Sequence, residues 1–407
     1  MRIGENDFFH LTYCSNIHPG EHWNEIFHNL ENYILPLKAS LSPDKSFGIG
    51  LRLSDKASRE LLSSSALIAF KDWLSHNNLY VFTINGFVYD HFHHKLIKEK
   101  VYQPDWTTSE RRDYSLRLVK ILTALTPPGS ESGFSTSPLS YKPWLDASTK
   151  LTTFRTATFS LMQVVAEMVR INEGEGKSLH IDIEPEPDCL IATTEEAIFF
   201  FKEWLFFEGA SQLASLLKVS PNKAEAYIRK HVRLCYDICH FSIEYEDHTR
   251  NLRLLKEAGI EIGKVQVSSA LKVHVSNDKD RQQGIIQNLT SLTASPYLHQ
   301  VIIRDKHGNL SRYEDLIKAI PDFSKMAEAE WRIHFHVPLF LEKYDTLHST
   351  QNDVKTVLNL IQENKATSYL EIETYTWDVL PPSLKEDLKD SLQREYEWVL
   401  QNFKPKD

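Results

Sequence analysis

An aspartate and a histidine three residues apart, Asp237 and His240, follow the apolar run Arg233-Leu-Cys-Tyr236. A carboxylate and an imidazole released at the end of a buried strand can converge on one point, as a divalent cation requires. Three other strand-like runs end in groups of the same kind. Leu179-His-Ile-Asp-Ile-Glu184 comes before, and Trp331-Arg-Ile-His-Phe-His336 and Tyr369-Leu-Glu-Ile-Glu373 come after. The two-residue period of an extended chain puts Asp182 with Glu184, His334 with His336, and Glu371 with Glu373 on shared faces. The outer member of each pair is the expected ligand and the inner one its hydrogen-bonding support. Gln266 adds an amide near the end of Lys264-Val-Gln-Val-Ser-Ser269.

Each of these residues has a plainer reading when taken singly, as an N-cap acid, a loop acid or a satisfied core histidine. Their joint occurrence at strand ends favours a common site, because acids among apolar neighbours need a partner charge or a metal. The expected metal ligands are Glu184, Asp237, His240, Gln266, His336 and Glu373. Carboxylates, imidazoles and an amide suit Mn²⁺, Zn²⁺, Fe²⁺, Co²⁺ or Mg²⁺ better than Ca²⁺. Such a cation polarises a carbonyl or hydroxyl oxygen while a carboxylate, Glu184 or Glu373, moves a proton on the adjacent carbon. Candidate substrate contacts are Asn85, His93 and Trp106 on a long aromatic connection, Arg52 at the end of the second strand, and His334. The aromatic connection reads equally well as a satellite cluster packing a loop. Arg304 and Lys306 could reach in from an insertion, and Tyr375 and Trp377 could line the pocket floor or pack the last helix. Glu186 and Asp188, flanking Pro187, read as solvated loop acids.

The elements that must position these groups alternate. Strands are expected over Phe9–Asn16, Phe47–Leu53, Leu79–Asn85, Gly133–Leu139, Leu179–Glu184, Arg233–His240, Lys264–Ser269 and Tyr369–Thr374, with another run at Arg332–Val337. Helical periods fall between them, over about 54–77, 108–125 and 145–172. Thr193 and Glu196 form a capping box, and an apolar stripe through Leu384, Leu388, Leu392, Tyr396 and Leu400 closes the chain from about Pro382. Continuous apolar strands alternating with helices indicate a parallel sheet covered on its faces. About eight such units point to a single (β/α)₈ TIM barrel over residues 1–407, with long loops and an insertion near 270–332. A doubly wound open sheet is the alternative. It is disfavoured by 14 glycines in 407 residues and by the lack of a GxGxxG or GKS/T run to cradle phosphates.

Composition excludes several classes. A net charge of −9 argues against a nucleic-acid surface. No run of about 18 apolar residues suggests a membrane span. A basic start followed by an apolar stretch is missing, so no secretory leader is expected. The four cysteines form no CxxC pair and read as reduced thiols of a cytoplasmic protein.

Taken together, Glu184, Asp237-x-x-His240, Gln266, the His334-x-His336 segment and Glu373 resemble the xylose-isomerase-like barrel superfamily, which holds sugar isomerases, ketose epimerases and endonuclease IV-type repair enzymes. More narrowly, Leu11-Thr-Tyr-Cys-Ser-Asn-Ile-His-Pro-Gly-Glu21, Phe82-Thr-Ile-Asn-Gly-Phe87, Val101-Tyr-Gln-Pro-Asp-Trp106 and Leu370-Glu-Ile-Glu-Thr-Tyr-Thr-Trp-Asp-Val-Leu-Pro381 resemble the EboE-type metabolite traffic proteins of bacterial secondary-metabolite clusters. The resemblance implies a metal-dependent isomerase or epimerase-like protein that acts on or handles a small metabolite. It also implies partner proteins of the same metabolite-export pathway. A non-catalytic metabolite-binding protein with a retained barrel pocket is the alternative. Phosphodiester cleavage would need several metals and a basic approach surface. Gln266 stands where sugar isomerases of this kind present a histidine.

Overall fold

The computed structural model describes residues 1–90, 97–326, 328–344, 346–377 and 385–403. Eight parallel strands form its centre: β1 (Phe9–Tyr13), β2 (Phe47–Arg52), β3 (Leu79–Asn85), β4 (Glu131–Thr136), β5 (Ser178–Ile183), β6 (Val232–Asp237), β7 (Ile262–Val267) and β8 (Tyr369–Ile372). Their hydrogen-bonded order is β1-β8-β7-β6-β5-β4-β3-β2, which is chain order read around a ring. A parallel bridge between Cys14 and Gly50 joins β1 to β2 and closes it. The chain is therefore a (β/α)₈ barrel, and every strand delivers its C-terminal residue to one mouth. A two-residue strand, Arg2–Ile3, adds antiparallel to β1 at the opposite end.

The strands form where the sequence is apolar enough to be covered on its outer face. Leu11, Phe47, Ile49, Leu51, Ile84, Phe134, Ile181, Ile183, Leu234, Val265 and Leu370 are all buried in one core with the helices. Helix starts follow the capping rules. Ser54, Thr108 and Thr193 accept from the backbone N–H three residues on, and Asp146 accepts from Ser148 and Thr149. Boundaries differ from expectation in several places; the strand expected to run to His240, for example, ends at Asp237, and His240 lies on the helix Ile238–Ile243. The helix after β2 breaks at Leu62-Ser63 into Asp55–Leu61 and Ser64–His76. Strand β4 is Glu131–Thr136, starting two residues and ending three residues earlier than expected, because Pro138 has no N–H for a ladder and falls past its end. The last helix is Leu388–Asn402, started by Asp387 rather than near Pro382; residues 378–384 lie outside the described residues.

The insertion is longer than the sequence indicates. Between β7 and β8 the chain builds a second, antiparallel sheet with spatial order Leu310–Tyr313, Val301–Arg304, Glu330–Ile333, Leu271–His274, Leu347–Ser349 and Lys343–Tyr344. The expected hairpin arm is the Val301–Arg304/Leu310–Tyr313 pair, but the sheet runs on to Ser349 rather than ending near residue 332. Its own core holds Val273, Ile303, Leu316, Phe323, Trp331 and Leu347. After Ile333 the chain leaves this sheet and returns to the barrel, where the Val337 N–H donates to the Ser269 carbonyl. That return carries His334 and His336 over the mouth. None of the described helices is long and apolar enough to cross a membrane.

Candidate metal centre

At the barrel mouth Glu184 follows β5, Asp237 ends β6 and Glu373 follows β8. One carboxylate oxygen from each lies within 4.8 Å of the others, and all three residues are buried. Two asparagine side chains orient Glu373, because Asn16 and Asn85 both donate Nδ2–H to its Oε1, at 2.7 and 3.0 Å. Asp237 caps the helix Ile238–Ile243, and its Oδ1 accepts from the His240 N–H at 3.1 Å and from Ser268 Oγ at 2.7 Å. Asp237 Oδ2, Glu184 Oε2 and both polar atoms of the Gln266 amide are buried without a hydrogen-bond partner. Gln266 lies beside Asp237 on one neighbour strand and beside Glu371 on the other.

Such a set is costly without a cation. Burial, reinforced by Asp237, pushes the Glu184 carboxyl up to about 8. Burial, together with Glu184 and Asp237, also drives Glu373 well above the usual carboxylate range. At Asp237 burial acts upward, but the neighbouring His240 and His336 with the Ser268 and backbone hydrogen bonds bring it below its ordinary value. Three convergent carboxylates, orphaned acceptor oxygens and an unpaired amide match the donor set of a divalent cation.

Beneath this layer the inner members of the paired acids have other partners. Glu371 forms a fully buried ion pair with Lys264, and Asp182 Oδ1 lies 2.6 Å from His180 Nδ1. Glycines make room for them. A Cβ on Gly50 would stand 2.1 Å from Glu371 Oε1, and one on Gly263 would stand 1.9 Å from Asp182 Oδ1.

Beside the carboxylates stand three imidazoles. His240 Nδ1 lies 2.8 Å from the Pro185 carbonyl, His336 Nδ1 lies 3.0 Å from the Glu373 carbonyl, and His334 Nδ1 lies 2.7 Å from Gln300 Oε1. All three are buried, and burial lowers the His336 pKa to about 4. A cavity opens here, walled by Asn16, Asn85, Glu184, Glu186, Glu373 and Tyr375 together with the three histidines and the apolar Phe87, Val88 and Val101. No lysine or arginine appears among its described lining residues.

Of the expected substrate contacts, Asn85 and His334 reach the cavity. Trp106 does not, because its ring is wholly buried in the barrel core and its Nε1–H donates to Thr136 Oγ1 at 3.0 Å. Nor does Arg52, whose buried guanidinium donates to the Gly20 and Asp90 carbonyls and pairs with Glu21. His93 lies outside the described residues. Arg304 and Lys306 stay on the outer sheet, paired with Glu330 and Glu328. Tyr375 stacks on His336, with ring centroids 4.6 Å apart. Trp377 packs with Phe340.

Glu186 is not the solvated loop acid expected. It is buried in the cavity wall, accepts from Tyr102 OH at 2.7 Å, and burial raises its carboxyl well above the usual range. Its sequence signal was the extended Glu-Pro-Glu-Pro run, whose two-residue period puts Glu186 on the side of Glu184. Asn16, in the turn Ser15–Ile17 just after β1, follows the same rule of a polar residue past an apolar strand. Gln300, on the insertion, had no signal at all.

No family model and no curated protein sequence matches the chain. Solved structures do. A Mycobacterium smegmatis xylose isomerase-like TIM-barrel protein in complex with magnesium aligns over 98% of each chain at 10% identity and a TM-score of 0.49. A D-tagatose 3-epimerase-like protein aligns over 97% of this chain and 98% of its own at 11% identity and 0.47. The IolI protein, crystallised with a zinc atom, aligns over 97% and 99% at 13% identity and 0.46. The barrel assignment rests on the strand order and the β1–β2 closure, not on these scores.

Proposed function

We propose that this chain is a divalent-metal-dependent isomerase or epimerase acting on a small, uncharged, polyhydroxylated metabolite. The observation that carries the reading is the buried Glu184–Asp237–Glu373 group, with orphaned oxygens and the unpaired Gln266 amide at the C-terminal mouth of a barrel. Glu184, Asp237, Gln266 and Glu373 would hold the cation, which when bound polarises a carbonyl or hydroxyl oxygen. Glu184 and Glu373 are the groups placed to remove and return a proton at the carbon next to that oxygen. Asn16 and Asn85 fix the orientation of Glu373, and Phe87, Val88 and Val101 keep water from that wall. The missing cationic lining among the described residues favours a substrate without phosphate or carboxylate. The EboE-type resemblance would make the traffic of a secondary-metabolite precursor its setting.

The test is isotope exchange. Neutral ketoses and polyols incubated in D₂O with metal-loaded protein should take up deuterium next to the carbonyl, read by NMR. A chelator should abolish the uptake, and Glu184→Gln or Glu373→Gln should lower the rate by roughly 10²–10⁴-fold, the usual worth of a positioned acid or base. Metal-loaded protein that binds such sugars without exchange would instead support a binding and carrying role.

A further inference from the structure

We propose that the outer face of the inserted sheet is a docking surface for an acidic helix of a partner protein. Leu271, Val273, Trp331, Ile333, Tyr344 and Leu347 all belong to the core on one side of that sheet. The alternation of a strand therefore turns Lys272, His274, Glu330, Arg332, Lys343 and His348 to the other side. Register then sets four of them in one line. Arg332 is the direct cross-strand partner of Lys272, Lys272 of His348, and His348 of Lys343. Four basic side chains thus stand opposite one another on four adjacent strands. His274 lies beside the row, opposite Glu330.

Half of this face is already covered by the barrel. Ile302 packs with Cys239 and Ile243, and Arg312 pairs with Glu244. Arg332 donates to the Ser242 carbonyl at 2.6 Å and pairs with Asp353. The other half is open. Lys343 is exposed, the His274 side chain is 54% exposed, and Lys272 and His348 are half-buried. Glu330 is shared among Arg304, Arg332 and His274. Among the described residues no ion pair involves Lys272, Lys343 or the nearby Arg281. Like charges directly opposite one another destabilise a sheet, a cost that a bound anion offsets. Burial first, and then His274, Lys272, Lys343 and Arg281, hold His348 below its ordinary pKa, in keeping with a field that is positive along the row.

Spacing selects the anion. Adjacent strands lie about 4.8 Å apart, so the four positions span roughly 14 Å. Acidic side chains three or four residues apart on a helix stand about 5–6 Å from each other along one face, close to that step. Alternate residues of an extended peptide are roughly 6.6 Å apart and drift out of register with it. A long polyanion such as a nucleic acid would run off so short a row onto a chain whose net charge is −9. The fitting partner is a protein that presents one acidic helix face.

The test is fluorescence anisotropy with the 407-residue protein and a labelled alanine-based helical peptide carrying glutamates at i, i+4, i+7 and i+11. Saturable binding is expected at low ionic strength, weakening as salt is added. Lys272→Gln/Lys343→Gln should weaken it roughly tenfold. Lys150→Gln/Lys202→Gln, which alters the net charge equally at two exposed positions of the barrel helices, should leave it within about twofold. No binding, or equal losses in the two variants, would overturn the surface. Equal binding of a peptide with the same glutamates spread around the helix would overturn the match to a helix face. Tighter binding of a single-stranded oligonucleotide or of phosphatidylserine vesicles, lost with Lys272→Gln/Lys343→Gln, would overturn the choice of a protein partner.

Discussion

Glu373 shows how much of the centre depends on groups that never touch a metal. Both asparagine donors, Asn16 from the turn Ser15–Ile17 after β1 and Asn85 from the end of β3, address the same oxygen, Oε1. Asn85→Asp would turn one donor into an acceptor facing a carboxylate. Metal affinity should fall roughly 10–100-fold, as for other supports behind a ligand, with the fold retained by circular dichroism. An unchanged titration curve would show that Asn85 is only a wall residue. At this scale the sequence was legible wherever a polar residue followed an apolar strand, as Glu184, Asp237 and Glu373 do where their carboxylates meet. Trp106 and Arg52 misled because type and position alone do not show which way a side chain turns. The indole N–H found Thr136, and the guanidinium found carbonyls and Glu21.

The last helix, Leu388–Asn402, braces the mouth through a buried acid. Glu395 accepts from the Leu339 N–H at 3.0 Å, and Thr374, next to Glu373, lies 3.5 Å away. Burial raises its carboxyl from 4.5 to about 8. Between those values the folded protein keeps a proton that the unfolded chain has released, so stability falls as pH rises through that window. Glu395→Gln removes the titration. The gap between the variant's Tm and the parent's should widen in the variant's favour from pH 5 to pH 8, and a constant gap would contradict the assignment. The apolar stripe of this helix was plain in the sequence, since Leu392 and Tyr396 are indeed buried. The extent of the insertion and its sheet were not, because the strands are two to four residues long and one of them, Leu310–Tyr313, is largely exposed. Such segments are defined by pairing with distant partners, which no local period reveals.

As a whole the molecule places three carboxylates and three imidazoles at the open end of a closed ring, with a buried Lys264–Glu371 pair beneath. The ring was legible because its strands are apolar on the side the helices cover and alternate with those helices, leaving few other folds. A cation that binds only the folded state adds stability in proportion to the logarithm of its concentration, about 2.7 kcal/mol at one hundred times Kd. Removal of divalent metal should therefore lower the Tm, and adding back Mn²⁺, Co²⁺ or Zn²⁺ should restore it. A Tm indifferent to chelator and metal alike would count against any cation there. The most direct measurement is elemental analysis of the purified 407-residue protein beside a Glu184→Gln/Asp237→Asn double variant. The account predicts at least one equivalent of a divalent metal in the unsubstituted protein and its loss from the carboxylate centre in the variant. No metal in either, after incubation with Mn²⁺ and Zn²⁺, would contradict it.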